Sequence, residues 1–304
     1  THPSVAQDRV SFAGEIVAVI AARSATAARD AAEHVIVDYD DLPVVLDLEA
    51  AVADGAELAH PDLGTNVSAV WTLDSATGGT GEDVDAVIEA ARNAPDGVVI
   101  ERTFQQQRLI PAFMEPRSVV VDPTGEQFTV WSATQVPHFV RVFMALVTGT
   151  PEHKIRVIAP DVGGGFGGKL QFTPEECITF LVARLLRKPV KYTETRSESL
   201  QSGHHGRRQV QRLTLAGRTD GTMTGLKVDL LTDMGAYLGL VTPGVPVLGA
   251  WMFNSIYKFA GYRFTTTNVF TNTTWTDAYR GAGRPEATYA IERLVDTFAN
   301  QVGM

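Results

Sequence analysis

Five glycines in six positions, Gly163, Gly164, Gly165, Gly167 and Gly168, interrupted only by Phe166, constrain this chain more than any other stretch. Residues without side chains let a backbone approach another group closely, so the run points to a ligand or to tight packing of strand on helix. Upstream, Ile155–Ala159 is an apolar strand pattern. Downstream, Thr173 can cap a helix, Pro174 suits its first turn and Glu176 completes a capping box. Ile178, Leu181, Val182 and Leu185 then recur at helical spacing, which predicts one apolar face.

Three readings of the loop stay open on these residues alone. Gly163-x-x-x-x-Gly168-Lys169 approaches a phosphate-binding loop, but the magnesium-ligating Ser or Thr that must follow is Leu170. Gly163-x-Gly165-x-x-Gly168 matches the dinucleotide fingerprint of a nucleotide-dependent dehydrogenase using NAD. In support, a second apolar strand, Val190–Thr193, ends at Glu194, where a ribose-binding acid belongs. Against it, Asp161, Val162 and the run through Phe172 make this turn longer than the fingerprint's. The third reading is a structural glycine loop in a non-catalytic scaffold.

Composition excludes several classes. The 304 residues suffice for two domains with sizeable cores. A net charge of −9, with no segment that concentrates Lys and Arg, argues against nucleic-acid binding. The single cysteine, Cys177, rules out a disulfide framework, a zinc cluster or an iron–sulfur site within this chain and reads as a small buried residue. No run approaches 18 apolar residues and no signal peptide is visible, so no membrane span and a cytoplasmic location are expected. The chain starts at Thr1 inside a patterned region and is expected to be a piece of a longer one.

Taken in order, Val10–Ala22 reads as strand, turn and strand, Thr26–His34 as a helix and Val35–Tyr39 as a strand, a small α/β unit ending near residue 53. Residues 54–97 read as a linker with one short helix, Val84–Arg92. From Val98 the expected strands are Val98–Phe104, Ser118–Asp122, Phe128–Ser132, Ile155–Ala159, Val190–Thr193, Val210–Ala216, Met223–Thr232 and Val269–Thr274. Phe139–Val147 and Pro285–Asn300 read as helices, Thr219-Asp220-Gly221 as a hairpin turn, and Tyr237–Gly249 has no assignment. Antiparallel strands mixed with helices predict an α+β fold over residues 98–304.

Besides the glycine loop, three polar islands stand out: Met114–Arg117 (MEPR), Thr134–His138 (TQVPH) and Tyr279–Glu286 (YRGAGRPE). With these four motifs in order, the sequence resembles the large, molybdopterin-binding subunit of the molybdenum hydroxylases, the family of xanthine dehydrogenase, aldehyde oxidoreductase and aerobic carbon monoxide dehydrogenase. The resemblance runs from Phe12 to the last helix. It implies that residues 1–53 are the C-terminal half of an α/β hammerhead domain and that 98–304 are the first part of the molybdopterin-binding domain. It also implies that the remainder of the large subunit, with the glutamate that acts as base, lies outside this chain.

The resemblance also assigns residues. Gln135, 31 residues before Phe166, would hydrogen-bond the oxo ligand of molybdenum, its amide donating while its carbonyl is fixed elsewhere. Gly164, Gly165, Phe166 and Gly167 would face the metal, with Phe166 walling the substrate pocket, and Arg280, Gly281 and Ala282 would meet the pterin end. Read without the family, Phe166 is a core aromatic and Arg280 an ion-pair partner of Glu286. No side chain is implied as a metal ligand, and the adjacent His204 and His205 would point apart on a strand. The implied cofactor is molybdopterin with molybdenum, its cytosine dinucleotide form left open. The implied partners are an iron–sulfur small subunit and an FAD-binding medium subunit. Gly281 stands where carbon monoxide dehydrogenases carry a copper-bridging cysteine; Leu170 and Ala282 stand where purine-oxidising members carry Glu and Phe. The implied substrate is therefore an aldehyde or an aromatic N-heterocycle, hydroxylated with oxygen from water.

Overall fold

Alternating apolar residues and capped amphipathic stretches set out nine strands and eight α-helices along the described residues, 2–304, of the computed structural model. In chain order the first elements are α1 (Ala25–Ala32), α2 (Leu48–Ala51), β1 (Val67–Asp74), α3 (Val84–Asn93), β2 (Gly97–Leu109), β3 (Ser118–Asp122) and β4 (Phe128–Ser132). Then come α4 (Pro137–Thr148), β5 (Ile155–Ile158), α5 (Pro174–Leu186), β6 (Val190–Thr193) and α6 (Arg196–Ser202). The last are β7 (Gly206–Arg218), β8 (Met223–Gly235), α7 (Gly244–Asn254), β9 (Gly261–Phe270) and α8 (Arg284–Val302). Two compact units form, each from two stretches of chain: the stretch ending at Val44 with Ile110–His204, and Val45–Leu109 with His205–Met304. The expected boundaries near residues 53 and 97 both fall inside the second unit.

In the first unit the strand order is β5-β4-β3-β6. β3 is antiparallel to β4 and β6, whereas β4 and β5 are parallel and joined through α4. Pro137 starts α4 and Gly149, left-handed at φ 66°, ends it. Val140 and Met144 of α4 and Phe180 and Ala183 of α5 close the core against Val119, Val121, Val130 and Ile155. The capping box of Thr173 and Glu176 forms as expected. The apolar face of α5 does not: Phe180 is 0% exposed, while Leu185 is 81% exposed. Phe180 faces inward because its ring meets Phe128 at 4.7 Å. Two polar neighbours go in with it because each is hydrogen-bonded, Glu176 to Ser132 Oγ and Thr179 to Glu175 O.

The strands expected at Val10–Ala22 and Val35–Tyr39 are absent, and no strand forms before Val67 among the described residues. Alternation alone does not make a strand without a neighbouring ladder, and Val19, Ile36 and Tyr39 stay exposed. The helix expected beside them does form, as α1, capped by Ser24.

The second unit is a five-stranded sheet ordered β1-β9-β8-β7-β2. All its pairs are antiparallel except β8 with β9, which α7 connects. The two-residue period separates its faces. Leu213, Leu215, Leu226, Val228 and Phe264 pack with Ala287, Ile291, Leu294 and Phe298 of α8. On the other face Ala216 meets Val84, Ile88 and Ala91 of α3, and Val210, Leu231 and Val269 meet Leu48 and Ala51 of α2. The stretch expected as linker therefore contributes an edge strand, β1, and a packed helix, α3. β1 escaped notice because only β9 pairs with it and none of its residues is fully buried. β9 ends where the expected strand Val269–Thr274 begins. Its Thr266 and Asn268 are buried because they bond each other at 2.9 Å and Thr232 lies 3.2 Å from Thr266. The α+β expectation holds as mixed sheets, with two parallel pairs added to the antiparallel ones.

Phe180→Ala should cost about 3–5 kcal/mol of unfolding free energy, and Leu185→Ala less than about 0.5, in denaturant titrations of the intact protein. Equal costs would contradict the orientation of α5.

Candidate functional site

Between β5 and α5 the chain makes an arch from Gly163 to Lys169, in and beside which three amides bond neighbouring carbonyls. Gly164 N–H donates to Val162 O at 2.9 Å, Gly168 N–H to Gly165 O at 2.7 Å and Leu170 N–H to Gly167 O at 3.0 Å. Two further donors converge on one side chain. Gly167 N–H and Lys169 N–H both donate to Gln135 Oε1, at 3.0 and 3.2 Å. Gln135 N–H returns a bond to Lys169 O at 2.9 Å, and Thr134 Oγ1 donates to the same carbonyl at 3.3 Å. The bare backbone of Gly165 permits this approach, since a Cβ there would lie 2.7 Å from Gln135 Cδ.

Two amide donors fix which end of the Gln135 carboxamide is oxygen, because its nitrogen cannot accept. Nε2 of Gln135 and the N–H of Gly165 have no acceptor among the described residues. Gln135 is exposed. Phe166 sits on top of the arch at φ 55°, a left-handed backbone that costs a non-glycine residue free energy of order 1–3 kcal/mol. Its ring is 44% exposed, so it is not the core aromatic that its apolarity suggests.

The foot of the arch holds a charge. The Lys169 side chain is 0% exposed and its Nζ meets Glu115 Oε2 at 2.8 Å, with the face of the Phe113 ring 4.8 Å away. The same carboxylate oxygen accepts Gly163 N–H at 2.7 Å, and Glu115 N–H donates to Gly163 O at 3.1 Å. The Lys169 ammonium first, then the Gly163 amide, hold the Glu115 carboxyl below the ordinary carboxylate range. Next to it, Arg117 and Glu194 form a buried pair. Arg117 N–H and Nη1 donate to the two carboxylate oxygens at 2.6 and 3.1 Å. Glu194, which a dinucleotide site would need for ribose, is thereby engaged, and the dehydrogenase reading of the glycines loses its acid. Cys177 is buried, and burial pushes its thiol pKa up.

In the second unit, Gly281, Ala282 and Gly283 are successively left-handed, at φ 100°, 45° and 85°, and lead into α8. Ala282 N–H closes the turn on Tyr279 O at 2.7 Å. Arg207 holds this loop. Its guanidinium stacks 4.8 Å over the Tyr279 ring, Nη2 donates to Arg280 O at 2.8 Å and Nη1 pairs with Glu286 Oε2 at 2.7 Å. Glu286, expected opposite Arg280, is thus taken by Arg207. Asp233, 0% exposed, accepts from Arg108 and from Arg208 Nη1, the latter at 3.1 Å.

The expected site residues thus fall into two groups, each within one unit. Gln135, Gly164, Gly165, Phe166 and Gly167 meet in the first; Arg280, Gly281 and Ala282 form a loop of the second. Sequence reasoning missed the roles of Glu115 and Lys169, although both stand in quoted motifs, and missed Arg207. Their signals were a charged residue closing a glycine run and two adjacent arginines opening a strand.

Comparison with known proteins bears on this arrangement. The family model described as molybdopterin cofactor-binding domain matches residues 59–304. The gamma subunit of the 6-hydroxypseudooxynicotine dehydrogenase complex of Paenarthrobacter nicotinovorans is 34% identical, over 100% of this chain and 37% of its own length. The nicotine 6-hydroxylase large subunit of the same organism is 32% identical, over 99% of this chain and 36% of its own. The crystal structure of quinoline 2-oxidoreductase from Pseudomonas putida 86 superposes with a TM-score of 0.90 at 33% identity, covering 99% of this chain and 37% of that one. The chain therefore spans a little over a third of the length of these relatives.

A carboxyl held below its ordinary pKa stabilises the fold above that value and loses the contribution as pH falls through the folded one. The urea-midpoint advantage of the wild type over Glu115→Gln should therefore be constant from pH 7 to about 5 and decline only below the ordinary value of 4.5. A decline that begins near neutrality would contradict the pairing.

Proposed function

The chain belongs to the molybdopterin cofactor-binding domain family, and from that premise we propose that it is part of the large subunit of a molybdenum hydroxylase acting on an aromatic nitrogen heterocycle. One observation carries the reading. The Gln135 carbonyl is occupied by two arch amides, which leaves its NH2 and the Gly165 N–H as donors in front of a backbone without side chains. Such donors suit an anionic, oxygen- or sulfur-bearing group, so the residues present fit the metal end of the cofactor.

In this reading Gln135, Gly164, Gly165, Phe166 and Gly167 hold the metal end, and Arg280, Gly281 and Ala282 the pterin end. When bound, the cofactor supplies a two-electron oxidation in which substrate C–H and water become C–OH, two protons and two electrons. The electrons pass to iron–sulfur and flavin groups on partner subunits. The chain's own contribution is electrostatic and steric. Gln135 and the Gly165 amide stabilise negative charge that develops in front of them, without having to reorganise. The exposed Phe166 ring offers a face on which a flat substrate can stack. Nicotine and quinoline, named in two of the relatives, contain aromatic nitrogen heterocycles. Leu170, Gly281 and Ala282 add neither charge nor thiol, which suits a weakly polar ring. Residues 1–53 are proposed, on the sequence resemblance, to belong to an α/β hammerhead domain.

The test uses the intact complex with a panel of pyridines, quinolines and aldehydes in 18O-labelled water. Hydroxylation of a heteroaromatic ring with label from water is expected. Gln135→Ala should lower kcat by about 10²–10³-fold with molybdenum content retained. Turnover of aldehydes alone would overturn the substrate assignment, and an unchanged kcat would overturn the role of Gln135.

A further inference from the structure

A buried lysine at the end of a glycine loop is an expensive way to fill space. Leu or Met would occupy the same volume without desolvating an ammonium. The Lys169 side chain is nevertheless 0% exposed, and two groups beside its Nζ suit an ammonium: the Glu115 carboxylate at 2.8 Å and the π-face of buried Phe113. The backbone of Lys169 makes the other half of the pattern. Its N–H and C=O bond the side chain and the main chain of Gln135, while Glu115 bonds both polar groups of the Gly163 backbone.

We propose that Glu115 and Lys169 are positioning residues for the Gln135 carboxamide: their ion pair ties the first residue of the glycine arch to the last, and the arch amides so fixed set the direction of the Gln135 NH2. The inference rests on the role of Gln135 proposed above. Its physical basis is entropic. Five glycines carry the largest backbone freedom of any segment of this length. Gly167 N–H and Lys169 N–H can both aim at one oxygen only if that freedom is removed from both ends. The pair lies at the foot of the arch, so it acts on Gln135 through the backbone. Changing it should therefore reproduce the loss of Gln135 without removing that residue.

The experiment is a double-mutant cycle in the intact, cofactor-loaded complex with Lys169→Met, Gln135→Ala and the double variant, and with Glu115→Gln as an isosteric second probe of the pair. Three quantities are read: molybdenum and pterin content, the Mo(V) electron paramagnetic resonance signal, and hydrogen–deuterium exchange of the peptide that spans 163–172. With cofactor content at wild-type level, Lys169→Met is expected to shift the Mo(V) signal in the same direction as Gln135→Ala and to speed exchange in that peptide alone. It should lower kcat by about 10²-fold, the effect of a group misplaced by an ångström. Added to Gln135→Ala it should lower kcat less than about 2-fold further, because the two changes remove one interaction. Should Lys169→Met not assemble, Glu115→Gln must show the same spectral shift. Additive losses, or an unshifted signal beside a shifted Gln135→Ala, would overturn the positioning role and leave that of Gln135 standing. An unshifted signal in Gln135→Ala itself would overturn both.

Discussion

Two backbone amides sharing one side-chain oxygen form the interaction on which the site depends. Gln135 Oε1 accepts from Gly167 and Lys169, and the main chain of Gln135 bonds back to Lys169. A loop after β4 and an arch after β5 are thereby joined into one rigid piece on the parallel pair that α4 connects. The glycines are necessary to this piece in a specific sense. At Gly165 a side chain would overlap the carboxamide, and at Gly167 the backbone is left-handed at φ 98°. Phe166 accepts the same left-handed conformation with a side chain, and its ring stays exposed.

Buried charge follows one rule across both units. Five buried carboxylates are engaged by an arginine or a hydroxyl: Glu194 by Arg117, Glu286 by Arg207, Asp233 by Arg108 and Arg208, Glu176 by Ser132 and Asp277 by Thr242, while buried Lys169 is engaged by the half-buried Glu115. Replacing a partner in such a pair leaves an uncompensated charge indoors, which costs far more than an apolar swap of the whole pair. The charged letters of the MEPR, glycine-loop and YRGAGRPE motifs are in this way largely architectural. They hold main-chain loops in shape, and the groups offered outward are amides and carbonyls.

What was legible in the sequence follows from how local each determinant is. The capping box at Thr173, the glycine turn and the central strands are written within a few residues, and they appear as expected. Elements defined by distant neighbours were not legible. Val10–Ala22 alternates yet finds no ladder among the described residues, whereas β1, nearly featureless, becomes a strand because β9 accepts it. The inward face of α5 was misread because Glu176 and Thr179 look solvent-facing until their hydrogen-bond partners are known. α7, rich in glycine and proline, forms against a core that its own composition does not reveal. The site shows the same division. Gln135 and the glycines came from motif order, but Arg207, 73 residues before the carbonyl it binds, became visible only in three dimensions.

The central claim is that the arch and Gln135 serve a molybdenum cofactor, and the most direct measurement is elemental. The intact complex, purified from its native host, would be assayed for molybdenum by mass spectrometry and for pterin by fluorescence after oxidation. The account predicts molybdenum and pterin together, in a fixed ratio of one to each large subunit. A fully assembled and active complex that contains neither would contradict it.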